Sequence, residues 1–241
     1  MFNTKAIIAA GGLGTRLQGF RGNDSTKILL EVNGTSMINL QLEQLISWGL
    51  NSFIIITNPT YDEMIKNATL EYTKNFDIKY TIQEKQLGIT HALMQARNYV
   101  DNNQNVIFVL GDNFFGENPF ENINFEEFTL NKIGSLIFSK EVDNPEDFGV
   151  IEVDENQTVL SIVEKPKNPK SKNAVVGLYY FDKNCFINAQ KVVPSSRGEY
   201  EITDLIDIYI KNNSCLLKKL DSWWIDAGTP DRIIELENKL S

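Results

Sequence analysis

Three uninterrupted apolar runs set the tightest limit on what this 241-residue chain can fold into. They are Ala6-Ile7-Ile8-Ala9-Ala10, Phe53-Ile54-Ile55-Ile56 and Val106-Ile107-Phe108-Val109-Leu110. A strand with one face in water alternates apolar and polar residues, so a strand that is apolar throughout must be covered on both faces. Amphipathic segments lie between the runs. The clearest is 36–48, where Ile38, Leu42, Leu45 and Ile46 recur at helical spacing and Gly49 closes the segment. The pattern predicts strands at 5–10, 51–57, 78–83 and 105–110, and helices at 36–48, 62–73 and 90–100. Strand and helix in alternation mean an α/β fold, a mostly parallel sheet with helices on both faces. The second half reads differently. Strands at 132–140, 148–153, 158–164 and 174–181 come in quick succession, followed by a helix at 199–211, a strand at 216–220 and a helix at 229–239. That succession predicts a smaller, mixed, β-rich lobe.

Composition removes several classes of function. The formal net charge is −9 and Lys and Arg form no dense cluster, which argues against nucleic acid as a partner. Any anionic ligand must therefore find local cations. The two cysteines, Cys185 and Cys215, have neither C-x-x-C spacing nor a ligand-spaced histidine, which fits free thiols in a reducing compartment. No apolar run approaches the ~20 residues needed to cross a membrane. The N-terminal run breaks at Gly11-Gly12 and does not resemble a secretory leader. The expectation is a cytoplasmic protein with no membrane partner.

Candidate chemistry sits just past the ends of the strands. Gly11-Gly12-Leu13-Gly14-Thr15-Arg16 follows the first run directly. Glycines there allow a close backbone approach and can turn N–H groups toward an anion. The loop is neither G-x-x-x-x-G-K-[ST] nor G-x-G-x-x-G, which disfavours a P-loop NTPase and weakens a nicotinamide oxidoreductase. Arg16 could grip phosphate through two hydrogen bonds, or be a surface Arg on a tight turn. Lys27 reads as a second phosphate contact or as a snorkelling side chain. Asp112 and Asp226 each stand just beyond an apolar strand, where α/β sheets bind ligands. Together they could clamp Mg²⁺, and separately each could cap a turn. In Glu164-Lys165-Pro166, Glu could accept from sugar hydroxyls and Lys could meet a phosphate. Arg197 is a further candidate phosphate ligand, with a solvated turn as the alternative. His91 is the single histidine, so it cannot build a metal cluster, and a place beside a nucleotide pocket suits it better than nucleophilic catalysis.

Read together, seven segments resemble the sugar-1-phosphate nucleotidyltransferases, most closely the glucose-1-phosphate thymidylyltransferases. The segments run in family order over nearly the whole chain. They are the stretch from Ala6 to Leu17, Leu110-Gly111-Asp112-Asn113-Phe114-Phe115, Phe148-Gly149-Val150-Ile151, Glu164-Lys165-Pro166, Val176-Gly177-Leu178-Tyr179, the stretch from Arg197 to Asp204, and Trp224-Ile225-Asp226-Ala227-Gly228-Thr229. The resemblance implies a Rossmann-like sheet in a single domain over 1–241. Its nucleotide-binding half would be 1–130 and its sugar-phosphate-binding half 131–241. It implies that Arg16 and Lys27 hold the triphosphate and the transition state, with Asp112 and Asp226 as catalytic Mg²⁺ ligands. It assigns Ala9, Gly11, Gly12, Gly14, Thr15, Gln83 and Gly88 to the nucleotide. It assigns Gly149, Glu164, Val175 and Tyr179 to the sugar, and Lys165 and Arg197 to its phosphate. The implied substrates are a nucleoside triphosphate and a sugar 1-phosphate, with dTTP and glucose 1-phosphate first. A homo-oligomer is expected by the same analogy.

The implied chemistry suits a chain with one histidine. A sugar phosphate oxygen is already an anion, so attack on the α-phosphorus needs no general base, only positioning and charge neutralisation. Four basic residues and a metal supply that locally, despite the acidic whole.

The chain departs from the family pattern at several points. Lys27-Ile28-Leu29-Leu30-Glu31 replaces Lys-Gln-Leu-Leu-Pro, and the segment between Gln18 and Thr26 is unlike the family's. Gly88-Ile89-Thr90-His91-Ala92 replaces the usual Gly-Ile/Leu-Ala-Gln-Ala and is similar to glucose-1-phosphate uridylyltransferases. Phe148 stands where Tyr is usual. These changes leave the base and the sugar open: uridine or cytidine are the alternatives, and a non-catalytic nucleotide-sugar sensor is a further one. Longer thymidylyltransferases carry extra helices after the last motif, part of a feedback site. Their absence is expected here, because the chain stops soon after Asp226.

Overall fold

A computed structural model describes residues 3–17, 19–22 and 26–241. The unfamiliar segment after Leu17 lies partly outside the described residues. In chain order the elements are β1 (Thr4–Ala9), β2 (Glu31–Val32), β3 (Thr35–Ser36), α1 (Met37–Ser47), β4 (Ser52–Thr57), α2 (Asp62–Ala68), β5 (Asp77–Ile82), α3 (Ile89–Gln95), β6 (Asn105–Leu110) and β7 (Asn113–Phe115). There follow α4 (Phe125–Leu130), β8 (Ser135–Glu141), β9 (Gly149–Val153), β10 (Val159–Glu164), β11 (Asn173–Phe181), α5 (Cys185–Ala189), α6 (Ile202–Lys211), β12 (Cys215–Lys219), β13 (Trp224–Asp226) and α7 (Pro230–Lys239).

The three apolar runs became β1, β4 and β6, adjacent parallel strands at the centre of a nine-stranded sheet. Their residues divide between the two faces with period two. Ile7, Ile54, Ile56, Val106 and Phe108 pack with α3, α5 and α6 on one side. Ala6, Ile8, Phe53, Ile55, Ile107 and Val109 pack with α1 on the other. Each buried Ile or Phe removes apolar surface worth about 1.5–3 kcal/mol, which is why no position in the runs is polar. β11 joins β6 antiparallel and also pairs with β8 and β9, which builds the mixed half of the sheet.

Three helices differ from the sequence pattern. The helix expected over 62–73 ends at Ala68 and tightens into a 3₁₀ segment, Leu70–Lys74. There Thr69 turns its hydroxyl back to the Ile65 carbonyl at 2.8 Å, a bond that competes with helix continuation. The helix expected over 90–100 ends at Gln95 and continues as a 3₁₀ turn, Arg97–Tyr99. The helix expected from 199 starts at Ile202, because the Tyr200 backbone bonds across to Leu87 and Thr90. The short pair β7–β13 went unread, being too brief for periodicity to register.

A smaller cluster ties the site together. Leu17 from the glycine loop, Phe114 from β7, Ile225 and Ala227 around β13, and Ile233 and Leu236 from α7 bury one another.

Candidate active site

β1 lies between β4 and β6, with Ala9 opposite Leu110 in register. The chain leaves β1 toward β4 and β5 on one side and returns to β6 on the other. The loops after β1 and β6 therefore emerge together at the point where strand order reverses, the usual ligand site of such sheets. Gly111 N donates to Ala9 O at 3.0 Å and holds the two loops edge to edge.

Two loops fold over Lys27. Thr26 Oγ1 donates to Gly12 O at 3.0 Å, and a Cβ on Gly14 would fall 2.8 Å from Lys27 Cβ, so no larger residue fits there. Lys27 Nζ forms an ion pair with Asp112 Oδ2. Burial works against the ammonium, yet Asp112 outweighs it and raises the Lys27 pKa. Burial also works against the Asp112 carboxylate, and here Lys27 wins and lowers the pKa. Both directions describe a charged pair in a buried setting.

β13 pairs antiparallel with β7, setting Asp226 opposite Asn113, and Ala227 N donates to Asp112 O at 2.8 Å. Asp226 thus stands beside Asp112. Burial, followed by the Asp112 charge, pushes the Asp226 carboxyl up to about 6 against the opposing pull of Lys27, Arg16 and Arg232. Its Oδ1 is buried with no hydrogen-bond partner among the described residues. Arg16 lies across Gly228 from that oxygen. A Cβ on Gly228 would meet Asp226 Oδ1 at 2.9 Å and Arg16 Nη2 at 3.2 Å. An orphaned carboxylate oxygen beside a second carboxylate fits a hard divalent cation. Two protein carboxylates are what Mg²⁺ commonly takes, with phosphate and water oxygens completing the shell.

Arg16, Thr15 and Asp226 also line a cleft of about 1220 Å³ whose far wall carries Gly149, Glu164 and Tyr179. Lys165 and Val175 line it too. Gly149 and Glu164 are partners across the β9–β10 hairpin, and a Cβ on Gly149 would strike Val175 at 2.9 Å. Burial raises the Glu164 pKa, Glu201 adds to the rise, and Lys165 and Arg197 oppose it. Phe148 stands edge-on to Trp224, ring centres 5.5 Å apart, at the same cleft.

Gln83 and Gly88 stand on the other flank of the glycine loop. A Cβ on Gly11 would lie 3.5 Å from Gln83 Oε1, and Gln83 Nε2 donates to Gly88 O at 3.1 Å. Arg197 does not line the cleft. Its Nε and Nη2 grip Glu201 at 3.0 Å each, and Nη2 also reaches Glu199 at 3.2 Å. Nη2 comes 3.9 Å from Glu164 Oε1. Asn113 received no role from sequence reasoning, although it adjoins Asp112. It donates to Asp112 Oδ1 at 3.0 Å, while its own Oδ1 accepts from Gly177 N at 3.0 Å and Trp224 Nε1 at 2.7 Å. Arg232 was also missed. It lies in α7, bonds to Trp224 O at 3.3 Å and opposes the rise at Asp226.

Residues 5–241 match the family model described as nucleotidyl transferase. The chain belongs to that family. A glucose-1-phosphate thymidylyltransferase from Neisseria meningitidis is 36% identical to this nucleotidyltransferase over 234 residues, 96% of this chain and 80% of the relative. A UTP–glucose-1-phosphate uridylyltransferase from Haloferax volcanii is 28% identical over 98% of this chain and 96% of its own length. Among solved structures, a Bacillus anthracis protein assigned as a glucose-1-phosphate thymidylyltransferase, in complex with a sucrose, superposes with a TM-score of 0.85. It is 33% identical, covering 98% of this chain and 94% of that one. The nucleotidyltransferase is an enzyme of the sugar-1-phosphate class. Among the described residues no helix is long and apolar enough to cross a membrane.

Proposed function

We propose that this enzyme transfers a thymidylyl group from dTTP to glucose 1-phosphate and releases pyrophosphate. The observation that carries the reading is that Arg16 and Asp226, which line one cleft with Glu164 and Lys165, stand beside the Lys27–Asp112 ion pair. The thymidylyltransferase names of relatives in Neisseria and Xanthomonas support the choice of substrates. A phosphate oxygen of the sugar 1-phosphate attacks the α-phosphorus in line, and the bond to pyrophosphate breaks. The attacking oxygen is anionic, so no proton is removed and no general base is needed. The chain supplies positioning and charge.

Arg16 holds triphosphate oxygens from the glycine loop, and Lys27, held by Asp112, presents its ammonium to the α-phosphate. Bound by Asp112 and Asp226, a divalent cation, which we take to be Mg²⁺, would neutralise charge on the phosphates. Ala9, Gly11, Gly12, Gly14 and Thr15 give the nucleotide a close backbone seat, with Gln83 and Gly88 at the base. Glu164, Gly149, Val175 and Tyr179 receive the sugar, and Lys165 meets its phosphate. The Arg197 Nη1 is engaged by none of the carboxylates that grip Nε and Nη2, which leaves it for the same phosphate.

A second reading keeps the reaction and changes the donor to UTP. His91 in the Gly88-Ile89-Thr90-His91-Ala92 segment favours it, as does the near full-length Haloferax relative. Pyrophosphate release measured with Mg²⁺ over dTTP, UTP, CTP, GTP and ATP, each with glucose, glucosamine, galactose and mannose 1-phosphates, decides. The expected maximum is dTTP with glucose 1-phosphate. A strong preference for UTP selects the second reading, and silence with every pair rejects both.

A further inference from the structure

Gln83 follows β5 directly and is only 3% exposed. Both hydrogens of its amide are committed: Nε2 donates to Gly88 O at 3.1 Å and to His91 Nδ1 at 3.0 Å. A backbone carbonyl can only accept, so Gly88 O sets which way the NH₂ faces, and His91 Nδ1, the acceptor for its second hydrogen, holds the amide there. Its Oε1 is therefore held on the side of Gly11, where the glycine loop begins.

The same contacts set the state of His91. With Gln83 donating, Nδ1 must be the bare nitrogen and the ring proton sits on Nε2. Gln95 Nε2 comes 3.4 Å from His91 Nε2, but it donates to the His91 carbonyl at 2.9 Å, and the shorter Gln83 contact sets the tautomer. An imidazolium would turn an N–H against the Gln83 NH₂. Burial lowers the His91 pKa, the direction that favours the neutral ring. The ring is steadied by Tyr200, whose ring centre lies 6.0 Å away.

We propose that His91 is a positioning residue for base selection: by accepting from Gln83 it presents Gln83 Oε1 to the base as a pure acceptor. Uracil and thymine carry an N–H between their two carbonyls and complement it. Cytosine carries a bare ring nitrogen there, so two lone pairs would face each other in a desolvated place. The selection is for 2,4-dioxopyrimidines over cytosine, without distinction between thymine and uracil. It rests on the placement of the base beside Gln83 and Gly88 proposed above.

Calorimetric titration of the protein with dTTP, UTP and CTP, run beside steady-state turnover, tests this. His91→Leu removes the acceptor. His91→Asn keeps one, because its Oδ1 stands where Nδ1 stood. Both lose the ring against Tyr200, so the pair separates hydrogen bonding from packing. In His91→Leu the UTP-over-CTP preference should fall by about tenfold or more, through Kd and KM rather than kcat, because the base lies away from the reacting phosphorus. His91→Asn should stay within about threefold of wild type, inside the uncertainty of a retained hydrogen bond. His91→Ala, which also lacks the acceptor, gives the same reading if His91→Leu does not fold. An unchanged preference without the acceptor overturns the proposal. Equal loss in His91→Asn overturns it too, as does wild-type protein that binds CTP as tightly as UTP. The thymidylyl-transfer reading fails separately: no pyrophosphate release sinks it, while the binding preference and its dependence on His91 still stand.

Discussion

Asp226 is held charged in a place that disfavours charge. Its carboxyl is pushed up to about 6, and its Oδ1 has no partner among the described residues. Asn at this position keeps the shape and removes the charge that burial and Asp112 oppose. Asp226→Asn should lower turnover by about a hundredfold or more, the scale of losing one electrostatic stabiliser. Its melting temperature without ligand should equal or exceed that of wild type. Pyrophosphate release and thermal unfolding on the same sample check both, and near-normal turnover would remove Asp226 from the proposed metal site. Arg16 and Gly228 belong to the same local balance, because a Cβ at 228 would crowd both Asp226 Oδ1 and the guanidinium.

At the scale of elements, the parallel strands are pinned at the end opposite the site. Lys5 on β1 bonds to Asp77 on β5 at 2.8 Å, and Ser52 on β4 donates to the same carboxylate at 2.8 Å. The Lys5 and Ser52 hydrogen bonds hold the Asp77 pKa down to about 2 against slight burial. A carboxyl lowered in the fold adds stability that is complete above its unfolded pKa and fades as pH falls through the folded one. The Asp77 contribution is therefore full above about pH 5 and is lost progressively as pH falls through about 2. The carboxylate is 46% exposed, so solvent screening leaves the pair worth about 0.2–1 kcal/mol. Asp77→Asn should cost that much in urea unfolding at about pH 7, and the gap to wild type should close as pH falls below about 2. A gap that persists there would mean the loss is one of shape. At the site end, the 83–91 loop and the 199–201 segment are bound to each other. Tyr200 N donates to Leu87 O at 2.8 Å, and Thr90 N to Tyr200 O at 3.0 Å. A Cβ on Gly88 would meet Tyr200 O at 2.6 Å, so the joint admits only glycine. The residues proposed for the base are thus tied by backbone hydrogen bonds to the segment whose Glu199 and Glu201 hold Arg197.

Over the whole molecule, one amide joins three distant parts of the chain. Asn113 holds Asp112, the Gly177 backbone on β11 and the Trp224 indole on β13, and it is 1% exposed. Asn113→Ala would leave the Gly177 N–H and the Trp224 Nε1–H buried without partners, each costing about 1–3 kcal/mol. It should lower the unfolding free energy by several kcal/mol in denaturant titration. The surviving folded protein should also lose turnover, because β13 delivers Asp226. A variant as stable as wild type would show that β13 is held by the apolar cluster of Leu17, Phe114, Ile225 and Ile233 alone.

Local chemistry was enough to read the central sheet. The runs within β1, β4 and β6 are apolar on both faces of the pleat, and such a pattern has one stable solution, a strand covered on both faces. Arg16, Asp112 and Asp226 stood out as candidates because each adjoins a strand end or a glycine loop, and Lys27 as a charge at the edge of the apolar Ile28-Leu29-Leu30. Other features depend on partners far away in sequence. The start of α6 was displaced by hydrogen bonds to the 87–90 loop, β7 and β13 are strands because each has the other, and Asn113 gains its role through Gly177 and Trp224. Arg197 is the sharpest case. Its motif suggested a phosphate ligand, and only the folded chain decided that Glu199 and Glu201 hold most of its guanidinium. Periodicity records what a residue needs from its neighbours along the chain. Pairing across the fold is chosen by close packing and by the need to satisfy every buried polar group, and neither is written in local order.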